Sequence, residues 1–152
     1  MGKVQMRKSN STTAVAGEYF VAAELAKRGH IALITLRNTE SVDILASNSQ
    51  GTRSVSIQVK TRSGKAHNWP LNVKAEKISS PNLFYVFVTL RGEREKPEYF
   101  IVPSVAVART ITESHAAWLK KPGRKGQAHK DTPIRQFRAY ESYRERWDLL
   151  GL

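Results

Sequence analysis

The chain has 152 residues, 40% hydrophobic and 25% charged, a length and balance that suit one soluble globular domain with a real core. It contains no cysteine, which excludes a disulfide framework and a thiolate zinc site and fits a reducing cytoplasm. Lysine and arginine total 25 against 13 acids, a net charge of +12, so the expected partner is a polyanion: nucleic acid first, an anionic membrane surface second.

Residues 1–11 are polar and basic and read as a flexible arm; no apolar block of signal-peptide length follows them. From about Thr12 to Arg28 the pattern predicts a helix. At about 100° per residue, Val15, Tyr19, Ala22, Leu25 and Ala26 share a face, and Gly29 stands at the C-terminal cap position. One acid, Glu18, intrudes on that stripe between Val15 and Ala22.

Short β-branched runs follow at 31–37, 42–47 and 53–62, the last two joined by the hairpin-type turn SNSQGT. In the third run Val55, Ile57 and Val59 fall on one face, and Ser56, Gln58 and Lys60 on the other. A further extended piece is expected around 69–74. LFYVFVTLRG (83–92) is almost continuously apolar, as expected for a central strand covered on both faces, and 98–104 is its antiparallel neighbour. The stretch SVAVARTITESHAAWLKK is expected to be helical, in one or two pieces. Residues 120–133 form a basic loop punctuated by Gly and Pro, and IRQFRAYESYRERWDLLGL is expected to close the chain as a helix. No run approaches the roughly 20 apolar residues that cross a bilayer, so no membrane partner is expected. The order of elements indicates one α/β domain over 12–152, with a core at about 12–102 and a C-terminal helical extension at 103–152.

Three polar positions stand out against this frame. Asp43 begins one strand, and Gln58 and Lys60 interrupt the next; two apart on a strand, they project to the same side. Phosphodiester hydrolysis needs charge stabilisation at phosphorus and an activated water, both of which a hard cation supplies through oxygen ligands. Asp43 offers a carboxylate, Gln58 an amide oxygen and Val59 a backbone carbonyl; Lys60 offers an ammonium for developing negative charge. Glu18 is the further acid within reach from the helix. Each residue also has a plainer reading: Asp43 as a turn cap, Gln58 and Lys60 as a solvated strand face, Glu18 as half of a surface ion pair.

The ordered set in "GEYFVAAELAKRGH", "VDILA" and "IQVKTR" resembles the PD-(D/E)XK nuclease superfamily, which includes many restriction endonucleases and the archaeal Holliday junction resolvases. The resemblance covers about residues 12–102. It implies a restriction endonuclease-like αβββαβ core with a mixed central sheet and Mg²⁺- (or Mn²⁺-) dependent cleavage of DNA. Asp43, Gln58, Val59 and Glu18 are then the metal-side residues, and Lys60 is the catalytic lysine. Two departures are visible. Val42 stands where the family name has proline, and Gln58 replaces an acid, removing one negative charge from the site. The Gln58 substitution keeps an alternative open: a nuclease-fold module that binds nucleic acid without cutting it.

Thr61, Arg62, Ser63 and Lys65 follow the lysine and are placed to meet phosphates. Lys120, Lys121, Arg124, Lys125 and Lys130 form a second basic segment suited to a phosphate backbone. DNA is the expected partner, RNA the second candidate, and a homodimer the expected assembly, because a chain this small needs two sites to cut two strands. Trp69, Trp118 and Trp147 are base-stacking candidates, although tryptophan is more often core. The four histidines lie too far apart for a metal site. No Cys nucleophile, G-x-S-x-G elbow, P-loop or G-x-G-x-x-G is present.

Overall fold

A computed structural model describes residues 10–36 and 40–152. Most of the expected arm, residues 1–9, lies outside the described residues. Helix α1 runs over Asn10–Lys27, taking in the last two residues assigned to the arm. It ends at Gly29, whose φ of 85° is open to glycine at no steric cost. The Gly29 amide donates to the Ala26 carbonyl at 2.9 Å and the His30 amide to the Leu25 carbonyl at 3.1 Å, the bond pair of a Schellman close.

The buried face of α1 is Thr13, Gly17, Val21 and Leu25, not the stripe expected from Val15, Tyr19, Ala22, Leu25 and Ala26. Tyr19 is 64% exposed. Close approach explains the rotation: a β-carbon on Gly17 would lie 1.8 Å from the Thr61 hydroxyl oxygen, so the helix backbone sits directly on the strand that carries Thr61.

The strands are β1 (Ile31–Ile34), β2 (Ile44–Ser47), β3 (Ser54–Ser63), β4 (Asn68–Asn72), β5 (Leu83–Leu90) and β6 (Glu98–Pro103); α2 (Ser104–Lys120) and β7 (Ile134–Arg138) follow. The main sheet has the order β1-β2-β3-β5-β6. Neighbours pair antiparallel except β3 and β5, which run parallel. β5 is buried along seven of its eight residues, as its apolar run predicts. The hairpin between β2 and β3 closes on Asn48, whose side-chain oxygen accepts from the Thr52 and Arg53 amides at 2.9 and 3.2 Å.

Each face of the sheet carries its own core. On one face Val21 and Leu25 of α1 meet Ile44, Ile57, Val59, Val86 and Ile101. On the other, Tyr85, Phe87, Phe100 and Val102 are covered by Trp69 and Leu71 of β4, Phe137 of β7, and Val107 and Ile111 of α2.

Two expectations about this second layer are corrected. The stretch beginning at Ile134 is not helical: it forms β7, pairs antiparallel with β4, and continues into 3₁₀ turns at Glu141–Tyr143 and Trp147–Leu150. Its alternation carries the reason, since Arg135 and Phe137 point inward while Ile134, Gln136 and Arg138 point out. The crossover between parallel β3 and β5 carries β4 and a four-residue 3₁₀ turn, Val73–Glu76, where the αβββαβ pattern implies an α-helix. By contrast α2 is a single continuous helix. Among the described residues no helix is long and apolar enough to cross a membrane.

Candidate active site

The site forms where β2 and β3 part. Their paired register ends at Ile44 opposite Ile57. One residue further out, the Asp43 amide still donates to the Ile57 carbonyl at 2.9 Å. The next β3 amide, Val59 N–H, is met by a side chain instead: Asp43 Oδ2 accepts from it at 2.7 Å. A carboxylate thus replaces a ladder carbonyl, which satisfies the Val59 amide while the two strands diverge. The approach to Asp43 is held from the other side as well. Thr35 N–H donates to the Asp43 carbonyl at 2.9 Å, and the Thr35 hydroxyl donates to the Val42 carbonyl at 2.6 Å. Two residues upstream Ser41 adopts φ of 63°, the left-handed region that costs a residue with a β-carbon about 1–2 kcal/mol.

The four sequence-selected residues line two cavities. Glu18 and Asp43 share one of about 190 Å³ with Ser11, Ala14, Val15, Thr35 and Leu36. Glu18 gets there because Gly17 seats α1 on β3, which brings the next residue to the divergent end of the sheet. Gln58 and Lys60 share a second cavity of about 140 Å³ with Ser41, Asn72, Lys74 and Tyr85. They do project to one side of β3, opposite Val55, Ile57 and Val59. Asp43 joins the two halves through Val59, the residue between Gln58 and Lys60. Among the described residues Lys60 makes no ion pair with a carboxylate, although it is half-buried.

Three lining residues escaped the sequence reading. Tyr85 lies beside Gln58 in the parallel register of β3 and β5, and burial pushes its hydroxyl above the ordinary tyrosine range. Lys74 adds a second ammonium to the Lys60 cavity, and the Asn72 side chain caps the turn that carries it by accepting from Lys74 N–H at 2.9 Å. None of the three had a local signal: Tyr85 reads as core in an apolar run, and Lys74 reaches the site only through the crossover.

The flanking phosphate-contact candidates divide. Thr61 turns its hydroxyl inward under Gly17, fully buried and without a hydrogen-bond partner among the described residues. Arg62 is spent on β4, donating to the Asn68 carbonyl at 2.5 Å and to Asn68 Oδ1 at 2.6 Å. These two are placed for packing, whereas Lys65 is exposed beyond the strand end. Lys120, Lys121, Arg124, Lys125 and Lys130 are exposed on the loop after α2. Trp69 and Trp147 are core residues at 2% and 7% exposure, while Trp118 remains 39% exposed.

Glu18 and Asp43 bring two carboxylates to one cavity, and Gln58 offers an amide oxygen from the neighbouring one; oxygen donors of this kind suit a hard divalent cation, which needs one or two carboxylates and keeps waters of its own. Among the described residues no group of three or more His, Cys, Asp or Glu side chains gathers as a metal cluster.

Neither a protein-family model nor a curated protein sequence matches this chain. Solved structures do. A bacterial homing endonuclease is 18% identical with a TM-score of 0.51, covering 95% of this chain and 94% of its own. A Holliday junction resolvase from the archaeal hyperthermophile Archaeoglobus fulgidus is 16% identical with a TM-score of 0.48, covering 86% of this chain and 85% of its own. The chain is a mixed α/β protein that shares its fold with the homing endonuclease. That fold is the restriction endonuclease-like one, with a five-stranded mixed sheet between two helices.

Proposed function

We propose that the protein is a metal-dependent endonuclease that hydrolyses DNA phosphodiesters at the Asp43–Lys60 site. The observation that carries this reading is the Asp43 carboxylate bonded to the Val59 amide between Gln58 and Lys60, with Glu18 in the same cavity as Asp43. Asp43 and Glu18, with the Gln58 amide oxygen and the Val59 carbonyl, would hold Mg²⁺ or Mn²⁺. When bound, the cation supplies charge stabilisation at phosphorus and a more acidic water. Lys60 would donate to a non-bridging phosphate oxygen as negative charge develops, and Lys74 would help draw the phosphate in. Lys65 and the 120–130 loop would grip the backbone and contribute affinity rather than sequence reading.

The test is incubation of linear, supercoiled, branched and single-stranded DNA with Mg²⁺, Mn²⁺ or EDTA. Cutting should require the metal. Lys60→Ala should lower the rate by roughly 10²–10³, the cost of losing one charge-stabilising donor, and Asp43→Ala should abolish cutting. Unchanged rates in both variants would sink the assignment.

A homodimer belongs to this reading. Edge strand β1 exposes Ile31 and Leu33, with Leu36 and Leu45 exposed nearby, and it carries no Lys or Pro to discourage strand addition. Sedimentation equilibrium should give a dimer that Leu33→Lys converts to monomer.

One observation favours a second reading, a binding module without catalysis: Gln58 leaves the site with two carboxylates where the superfamily pattern has an additional acid. Calorimetric titration with Mg²⁺ separates them. A binding module gives no metal-dependent heat, and in a nuclease Gln58→Glu should lower the Mg²⁺ requirement by about tenfold or more.

A further inference from the structure

The basic loop leaves α2 and returns as β7, and the cleft between those two elements is remote in sequence from the Asp43 site. Its cavity of about 460 Å³ falls inside the range of roughly 300–1,000 Å³ typical of pockets for small organic groups. The walls are Trp118 and Ile134, with Ser114, His115, Thr132 and Gln136. We propose that this cleft binds an unpaired base of single-stranded DNA, stacked on Trp118, while the 120–130 loop holds the adjoining phosphates.

Four observations converge on that occupant. Trp118 differs from the other two tryptophans in more than exposure. Trp69 donates its indole N–H to the Val88 carbonyl at 3.3 Å and Trp147 to the Glu145 carboxylate at 2.8 Å, whereas the Trp118 N–H has no partner among the described residues. The Trp118 ring is also held in place: His129 stacks on it with centroids 4.0 Å apart and planes 22° apart. His115 sits 5.3 Å away, itself fixed by a 2.7 Å bond to Asp131. A flat apolar surface with a pre-set orientation suits a base, since every base has a π-face.

The polar groups suit a base edge. Gln136 brings an amide with both donors and an acceptor, and among the described residues its oxygen takes only the Asn68 amide at 3.5 Å. The Ser114 and Thr132 hydroxyls add acceptors. None of the lining residues is a carboxylate, and Asp131, bonded to the lining residue His115, is already committed to His115 and Arg135.

Charge then selects the ligand class. Lys120, Lys121, Arg124, Lys125 and Lys130 make no ion pair among the described residues. The turn that presents Arg124 and Lys125 has a fixed shape: Gly123 N–H donates to the Gln127 carbonyl at 2.8 Å and Gly126 N–H to the Gly123 carbonyl at 2.9 Å. An aromatic shelf beside a row of unpaired cations is the arrangement that holds a single strand by stacking and charge together. A base inside a duplex cannot enter such a cleft without leaving its stack.

Binding is measured by fluorescence anisotropy in EDTA, so cleavage plays no part. The probes are a thymidylate oligonucleotide and an abasic strand of the same length and charge. The parent protein should prefer the thymidylate strand by roughly five- to hundredfold, the range given by stacking on one aromatic side chain. Trp118→Ala, at an exposed position that does not threaten folding, should lose that preference, and Trp118→Phe should keep it. Lys120→Gln with Lys121→Gln should weaken both strands equally. Asp43→Ala should keep the preference, which separates this site from the catalytic reading. Equal binding of the two strands by the parent, an undiminished preference in Trp118→Ala, or equal loss in Trp118→Phe would overturn the proposal.

Discussion

The two faces of the main sheet are finished by different means. On the Asp43 side, residues 10–36 and 40–63 are near in the chain and lie together in space: a helix, a short edge strand and a hairpin. They are fitted through one glycine and one carboxylate. On the opposite side the cover is assembled from distant pieces. β4 at 68–72 pairs with β7 at 134–138, and a stack of large rings fills the space beneath. Phe137 lies 4.3 Å from Phe87 with planes 14° apart, and Trp69 lies 5.0 Å from Phe87. Arg135, itself buried, ties β7 to Glu76 of the crossover turn. The first face is tight and ends at the Glu18–Asp43 cavity; the second is voluminous and largely apolar, supplies bulk stability, and is polar where Gln58 and Lys60 reach the cavity beside Tyr85.

That contrast can be broken most strongly from the aromatic side. Phe137→Ala removes a fully buried ring and should cost about 3–5 kcal/mol in denaturant unfolding. Hydrogen exchange should accelerate first in β4 and β7, leaving β2 and β3 protected. Equal loss of protection in both faces would show that the two layers are one cooperative unit.

The Asp43 face should be sensitive to size rather than to cavities. Gly17→Ala places a methyl 1.8 Å from the Thr61 hydroxyl oxygen and should cost about 1–3 kcal/mol despite the better helix propensity of alanine. On the proposed function it should also lower DNA cleavage by more than its loss of stability explains, because Glu18 moves with the helix. Thr61→Ala in the same chain should restore part of both.

A third test reads the seam that binds β6 to the rest. Burial alone would raise the Glu98 carboxyl, but hydrogen bonds from His67 and Arg144 outweigh it and hold the group below its ordinary value of 4.5. Glu24 is held down too, chiefly by its hydrogen bond from Arg28. A depressed carboxyl contributes stability that is present above the unfolded value and lost as pH falls through the folded one. Stability should therefore be flat around pH 6 and decline below about pH 4.5. Glu98→Gln should shallow that decline, as thermal melts at successive pH values would record.

The smallest effect is expected at the approach to Asp43. Ser41→Gly relieves a left-handed residue and should stabilise the chain by at most about 1 kcal/mol, since glycine also loses more freedom on folding. A rise in stability accompanied by lower activity would indicate that the Ser41 conformation helps to aim Asp43.

Much of the Asp43–Lys60 region was legible because its signals are local. The period-2 alternation of Ser54–Ser63 put Gln58 and Lys60 on one side, the SNSQGT turn made the hairpin, and the apolar run at 83–92 marked the central strand. The aromatic face was legible only in part. IRQFR alternates like a strand but is short, and the charged, aromatic-bearing stretch after it reads equally well as helix. Pairing with β4, across more than sixty residues, decides between them.

Sequence alone determined the net charge, the strand order through β6, and which side of β3 presents an amide and an ammonium, because side-chain alternation is a property of the backbone itself. Tertiary structure decided the rest. It set the face of α1 that turns inward, through the Gly17 contact, and it divided the four polar residues between two cavities joined at Val59. It turned Thr61 and Arg62 from outward-facing candidates into packing residues and left Trp118 as the exposed tryptophan. Each of these depends on how closely two elements distant in the chain approach, and no local pattern of residues encodes that distance.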